Sequence, residues 1–195
     1  VDEVGRGCLF GPVIAAAVIV PASAVQHLQQ AGVTDSKQLS AVQREALVQQ
    51  IQSTAVTYGL GIASVREIDR LNILQASLLA MKRAIARLDP QPSFCLVDGN
   101  QRIPGLTIPQ QTVVNGDRHS LAIAAASILA KVWRDALITR LDRRYPGYDL
   151  ASNKGYGTPK HRQGLQLLGL TPQHRRSFRP CQDVISPGSR LDGNI

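Results

Sequence analysis

The sequence predicts an α/β protein, a mixed central sheet flanked by helices, and three observations carry that prediction. An unbroken apolar run at residues 13–20 follows a glycine-rich turn and has the length of a buried strand. Residues 56–62 alternate Val56, Tyr58, Leu60 and Ile62 with Thr57, Gly59 and Gly61, the period of two expected when one sheet face is buried. Residues 72–88 place Leu74, Leu78, Met81, Ile85 and Leu88 at helical spacing.

Taken in order, residues 1–4 form a first strand, separated from the run at 13–20 by a turn containing Gly5, Arg6 and Gly7. Ser40 and Gln43 have capping-box spacing, and Leu47, Val48 and Ile51 supply the apolar stripe of the helix behind them. The alternating strand at 56–62 comes next, then the amphipathic helix at 72–88, which ends before Pro90. Residues 94–97 are a short buried strand. A second, at 112–114, leads through Asn115 and Gly116 into a long Ala-rich helix reaching about residue 143. Beyond Tyr145 the composition turns to Pro, Gly and basic residues. The expected organisation is therefore a core over 1–144, a small helical C-terminal appendage over 145–185 and a flexible tail over 186–195.

Composition narrows the function classes. With 195 residues and 44% hydrophobic content the chain can bury a sizeable core, so disorder is not the default. No apolar run is long enough to span a bilayer, which predicts a soluble, cytoplasmic protein with no membrane partner. Cys8, Cys95 and Cys181 lack metal-ligand or redox spacing and read as packing residues in a reducing compartment. A net charge of +8 and a pI near 9.9 favour a polyanionic partner, since Lys and Arg release condensed counterions from phosphates. Residues 131–195 hold twelve of the 22 Lys and Arg but five of the 14 acids, so the basic surplus lies away from the acids of interest.

Those acids sit at strand and helix ends. Asp2 and Glu3 precede glycines, Asp98 ends a short strand before Gly99, and Asp117 opens the Ala-rich helix. Each alone reads equally as a turn residue or helix cap. Together in one cleft they would repel one another unless a cation intervened, and hard oxygen donors suit Mg²⁺ or Mn²⁺. Two such ions about 4 Å apart can assist phosphodiester hydrolysis. Ser127 and Lys131, one helical turn apart, with Ser120 upstream on the same helix, could hold a phosphate; Asp135 offers the alternative that Lys131 makes a helical ion pair.

At DEVGRG, residues 2–7, the chain resembles the ribonuclease HII family, the prokaryotic type 2 ribonucleases H. Further matches follow in order: DSKQLS at 35–40, EIDRLNILQASLLAM at 67–81, LVDGN at 96–100, GDRHSLAIAAASILAKVWRD at 116–135, KGYGTPKH at 154–161 and HRRSF at 174–178. The resemblance implies an RNase H-like sheet with Asp2, Glu3, Asp98 and Asp117 as metal-binding catalytic acids. It implies an endonuclease that cuts the RNA strand of RNA/DNA hybrids and nicks 5′ to single ribonucleotides embedded in duplex DNA, leaving 5′-phosphate and 3′-hydroxyl ends. Gly5, Arg6 and Gly7 would read the ribose 2′-hydroxyl, for which glycine allows close backbone approach. Tyr156 would pack on the nucleotide after the ribose; a surface tyrosine covering apolar area is the plainer alternative. Ser36, Lys37, Asn72, Ser127 and Lys131 would contact phosphates or sugars, although such residues in turns also cap helices or face water. The resemblance further implies a monomer and leaves contact with a sliding clamp open. His119, His161 and His174 stay outside the catalytic set because the implied chemistry is metal-driven.

The chain opens at Val1, where the family normally carries further residues ahead of the first strand, so residues are expected to be missing there. An α-ammonium at Val1 would lie beside Asp2 and Glu3, and such a form is expected to bind metal weakly or fold marginally. Two rival readings stand beside the main one: another nuclease specificity, such as the type 3 sibling, and a non-catalytic duplex-binding module. The sibling usually carries an extra N-terminal domain that this sequence does not show, and a pure binder gains nothing from four acids near phosphates.

Overall fold

The computed structural model describes residues 1–185, so the expected tail lies outside the described residues. Strand β1 (Asp2–Val4) pairs antiparallel with β2 (Val13–Ile19), which pairs antiparallel with β3 (Thr57–Ala63). Strand β4 (Cys95–Asp98) pairs parallel with β5 (Gln110–Val113). Val1 joins the two groups: its amine donates to the carbonyl of Leu96 at 2.8 Å, and Asp98 N–H donates to the carbonyl of Val1 at 3.0 Å. That pair of bonds has the slanted pattern of parallel neighbours and sets Val1 opposite Val97. The resulting strand order is β3-β2-β1-β4-β5.

Helices cover both faces. On one side α4 (Ile73–Ile85) lies over β2 and β3, with Met81, Ile85, Leu88, Val13, Val97 and Ile103 in one apolar cluster. On the other, α6 (Leu121–Asp142) packs its Ala124–Ala130 stretch against Ala16, with Leu47 and Ile51 of α2 (Ala41–Thr54). The Ser40 capping box that opens α2 is formed as expected: Ser40 accepts from Gln43 N–H while the Gln43 side chain takes the Ser40 amide. Two short helices escaped the periodicity, α1 (Ala22–Gln30) and α3 (Val65–Leu71). Both are short, with stripes of only two or three residues (Ala24 and Leu28; Val65, Ile68 and Leu71), although Ser64 and Glu67 form a second capping box at α3.

Strand β3 departs from the expected pattern in an informative way. Its buried positions are Gly59, Gly61 and Ala63, while Val56 and Tyr58 are exposed. A Cβ at Gly61 would collide with the carbonyl oxygen of Ala80, and one at Gly59 with that of Ala84. The glycines thus mark a strand in direct contact with a helix backbone, a close approach that leaves no room for side chains. Leu60, on the opposite face, packs against the α6 cluster.

The long Ala-rich helix is also two elements. A short turn of helix, α5 (Gly116–His119), ends at Ser120, whose extended backbone (φ −133°) breaks the path before α6 begins. Ser120 is the N-cap of α6, accepting from Ile123 N–H at 3.4 Å, and so does not continue the face of Ser127 and Lys131.

The C-terminal segment contains α7 (Leu150–Asn153), α8 (Pro159–Leu168) and α9 (Arg179–Ile185). It shares a core with the loop between β1 and β2: Leu9 and Phe10 pack with Ile138, Tyr148, Leu150, Leu165 and Cys181. The loop is also bonded to it, through Leu9 N–H to Gly155 C=O, Gly11 N–H to Gln173 C=O and Arg175 N–H to Leu9 C=O, all between 2.8 and 2.9 Å. No described helix is long and apolar enough to cross a membrane. All three cysteines are buried and free.

Candidate active site

Because Val1 stands opposite Val97 in a parallel arrangement, Asp2 stands beside Asp98 on the same face of neighbouring strands, about 4.8 Å apart by strand spacing. Glu3 joins them. One carboxylate oxygen from each of Asp2, Glu3 and Asp98 lies within 4.8 Å of the others. Burial, then the neighbouring charges of Glu3 and Asp98, push the Asp2 carboxyl up to about 8, against a smaller opposing effect of the Ser127 hydroxyl. Glu3 is raised as well, by burial, with Arg6 opposing from 3.2 Å. Three acids so placed are under mutual strain that a cation would relieve.

Asp117 stands just outside this group. It is buried at the start of α5, next to Gly116, whose N–H donates to Asp98 Oδ1 at 2.7 Å. Its own Oδ2 accepts from the Lys37 ammonium at 3.2 Å. Partial burial works against the Lys37 charge, but the bond to Asp117 and the fields of Asp117, Asp35 and Asp2 outweigh it and hold the amine above its ordinary value. Lys37 therefore reaches over the acids from a tight 3-10 turn at Ser36–Gln38. Asp35, which sequence reasoning passed over, builds that turn: buried, it accepts from Lys37 N–H at 3.0 Å and from Arg118 Nε at 3.2 Å.

The other residues singled out in the sequence divide into two groups. Ser36 and Ser127 are buried and their hydroxyls bond each other at 2.8 Å, alongside Asp2. Asn72 caps α4, accepting from Gln75 N–H at 3.1 Å with φ +72°. Lys131 pairs with Asp135 at 3.0 Å, the alternative left open in the sequence. These four are engaged within the protein. Arg6 and Lys37 pair with Glu3 and Asp117 yet keep exposed side chains, and Asn72 and Tyr156 are exposed as well.

The Gly5–Gly7 turn is positioned by two arginines the sequence reading did not single out. Arg134 and Arg175 are fully buried. Arg175 donates to the carbonyls of Arg6 and Gly5 at 2.7 Å each and to that of Gly11 at 3.0 Å. Arg134 donates to the carbonyls of Phe10, Pro12 and Lys154. Gly5 takes φ +90°, and a Cβ there would strike the Arg134 guanidinium, so only glycine fits between turn and arginine. Gly7 faces the ring of Tyr156, 3.9 Å from where its Cβ would stand. A signal for Arg134 did exist: a guanidinium on the apolar face of an Ala-rich helix has to be satisfied somewhere.

Residues 1–181 match the family described as Ribonuclease HII. The chain belongs to the ribonuclease HII family. Among its relatives, the ribonuclease HII of Acaryochloris marina is 64% identical over 187 residues, covering 96% of this chain and 94% of that protein. That of Synechococcus elongatus is 61% identical over 192 residues, covering 98% and 88%. Among solved structures, the ribonuclease H2 of Pyrococcus horikoshii superposes with a TM-score of 0.80 at 26% identity, covering 95% of each chain. The ribonuclease HII of Archaeoglobus fulgidus, solved in complex with PCNA, gives 0.71 at 26% identity over 100% and 96%. Membership of the ribonuclease HII family makes the chain an endoribonuclease acting on RNA/DNA hybrids, and its acidic cluster lies within the matched residues.

Proposed function

We propose that this ribonuclease HII cuts hybrids and also nicks 5′ to single ribonucleotides in duplex DNA, by divalent-metal-assisted hydrolysis that leaves 5′-phosphate and 3′-hydroxyl ends. The observation that carries the reading is the convergence of Asp2, Glu3 and Asp98, with Asp2 pushed up to about 8. Their all-oxygen donor set fits Mg²⁺ or Mn²⁺, and Asp117, one residue from a group bonded to Asp98, completes it. Bound there, the metal would activate a water and stabilise the leaving oxygen. In the reaction the water oxygen bonds to phosphorus, the bond from phosphorus to the 3′-oxygen breaks, and that oxygen takes up a proton.

The protein's own groups supply position and selectivity. The Gly5–Gly7 backbone, held by Arg175, reads the 2′-hydroxyl, which both donates and accepts and so separates ribose from deoxyribose without reference to the base. Tyr156, across from Gly7, packs on the next nucleotide. Lys37, which bonds Asp117 with an otherwise exposed side chain, would be available to a phosphate if that carboxylate held a metal ion. Ser36 and Ser127 act by bracing Asp2, and Asn72 by fixing the start of α4. The Archaeoglobus complex with PCNA supports contact with a sliding clamp for this chain as well.

A cleavage assay tests the proposal. With Mg²⁺ or Mn²⁺, a duplex carrying one ribonucleotide is nicked on its 5′ side while an all-DNA duplex stays intact. Asp98→Asn keeps duplex binding and loses turnover by about a thousandfold or more. Equal cutting of both duplexes would remove the sugar-reading role of Gly5–Gly7, and a fully active Asp98→Asn would remove the metal site.

A further inference from the structure

The loop that presents Tyr156 is held by two groups the reaction leaves unused. His161 and His174 are buried, and their Nε2 atoms lie 3.1 Å apart. The two ends of this pair dictate where every proton sits. The backbone N–H of Thr171 donates to His174 Nδ1 at 2.9 Å, and an amide N–H only donates, so that nitrogen carries no proton. His174 therefore holds its proton on Nε2 and donates to His161. Nε2 of His161 accepts, which places the His161 proton on Nδ1, 2.9 Å from the carbonyl oxygen of Tyr156, a group that only accepts. One directed chain results, from Thr171 through His174 and His161 to Tyr156, and no other pair of tautomers satisfies both ends.

The surroundings keep it intact. The rings of Phe10 and Tyr148 lie 5.0 and 4.8 Å from that of His174, centre to centre, and shield it from water. Burial lowers both imidazoles, that of His174 to about 3 with His161 adding to the effect, so neither is charged near neutrality. The carbonyl at the end of the chain belongs to the residue whose ring stands over Gly7. That carbonyl also accepts from Thr158 N–H at 2.8 Å, and the two bonds together fix the stretch of backbone from which the ring projects.

We propose that His161 and His174 are positioning residues for substrate recognition: their tautomer-locked chain holds the Tyr156 backbone and thereby sets the angle at which its ring meets the nucleotide beyond the ribose. The proposal rests on the reading of Tyr156 given above. It predicts an effect on binding and not on the bond-breaking step, since neither imidazole is among the carboxylates of the cluster.

The test compares wild type, Tyr156→Ala, His161→Leu, His161→Asn and the Tyr156→Ala/His161→Leu double variant on a duplex with one ribonucleotide in Mg²⁺. His161→Leu is expected to raise KM about tenfold with kcat changed less than about threefold, the signature of lost ground-state binding. His161→Asn, whose amide can still donate to the Tyr156 carbonyl, recovers part of that loss. In the Tyr156→Ala background His161→Leu adds nothing further. Nitrogen-15 imidazole spectra of the wild type at pH 7 show neutral rings with the proton on Nδ1 of His161 and Nε2 of His174, a readout that does not depend on any variant folding. If Tyr156→Ala weakens binding but His161→Leu does not, the positioning role is overturned and Tyr156 keeps its own. If Tyr156→Ala leaves KM unchanged, both roles fall together. The opposite tautomers, or a charged ring, overturn the chain itself.

Discussion

Asp2 shows most directly how one residue's position trades stability for chemistry. Burial beside Glu3 and Asp98 lifts its carboxyl to about 8, so near neutrality the metal-free protein folds at the cost of protonating a group that is ionised in the unfolded chain. Replacing Asp2 by Asn removes that cost while keeping the shape. The metal-free Asp2→Asn protein is expected to be more stable than wild type at neutral pH by ~1–3 kcal/mol, and to lose the rise in Tm that Mn²⁺ gives wild type. Thermal melts with and without Mn²⁺ check both, and a variant that melts lower than wild type without metal would contradict the first. The acids were legible one at a time in the sequence, each by its place at a strand or helix end. Their convergence was not, because successive strand residues alternate faces and nothing local says that Glu3 reaches the side of Asp2 and Asp98.

Among the elements, β3 and α3 show where a local pattern misleads and where it holds. Alternation identified β3 correctly, but the buried side is the glycine side, since the partner is the α4 backbone itself. Only the neighbour's identity decides that. At α3 the capping box is written in the sequence, and the structure adds a long-range bond: Glu67 also accepts from Arg83 of α4 at 2.7 Å, and Arg83 donates to the Ile62 carbonyl at the end of β3. The Arg83 guanidinium and the Ser64 groups hold the Glu67 carboxyl down to about 2. A folded-state value below the unfolded one means that its contribution is present above about 4.5, the ordinary carboxylate value, and is lost as pH falls towards 2. Glu67→Gln is therefore expected to cost ~1 kcal/mol at pH 7 and almost nothing at pH 2. Denaturant melts of both proteins across that range measure the difference; equal losses at both ends would rule the clamp out.

For the whole molecule, the organising fact is that residues far apart in sequence build one turn. Arg175, near the C-terminal end of the described chain, donates to the carbonyls of Gly5, Arg6 and Gly11, and Arg134 of α6 donates to those of Phe10 and Pro12 and ties them to Lys154. Arg175→Leu would remove the guanidinium donor from the carbonyls of Gly5, Arg6 and Gly11. The expected loss is ~3 kcal/mol or more in stability, together with loss of preference for a ribonucleotide-containing duplex over DNA, while Mn²⁺ still binds the carboxylates. Urea melts, competition binding and a metal titration separate the three effects. By itself, the amino-acid sequence determined the α/β class, most strand and helix positions, the capping boxes and the ordered motifs that placed the chain among ribonucleases HII, because periodicity, caps and motifs are local and survive without knowledge of neighbours. What only the tertiary structure decided was which acids share a site, which face of β3 is buried, where the Ala-rich helix breaks, and how buried arginines and a histidine pair hold the loops. Those depend on which segments meet in space, from the histidine pair 13 positions apart to Gly5 and Arg175, 170 apart, and on the burial that sets their energies, which no short stretch of chain encodes.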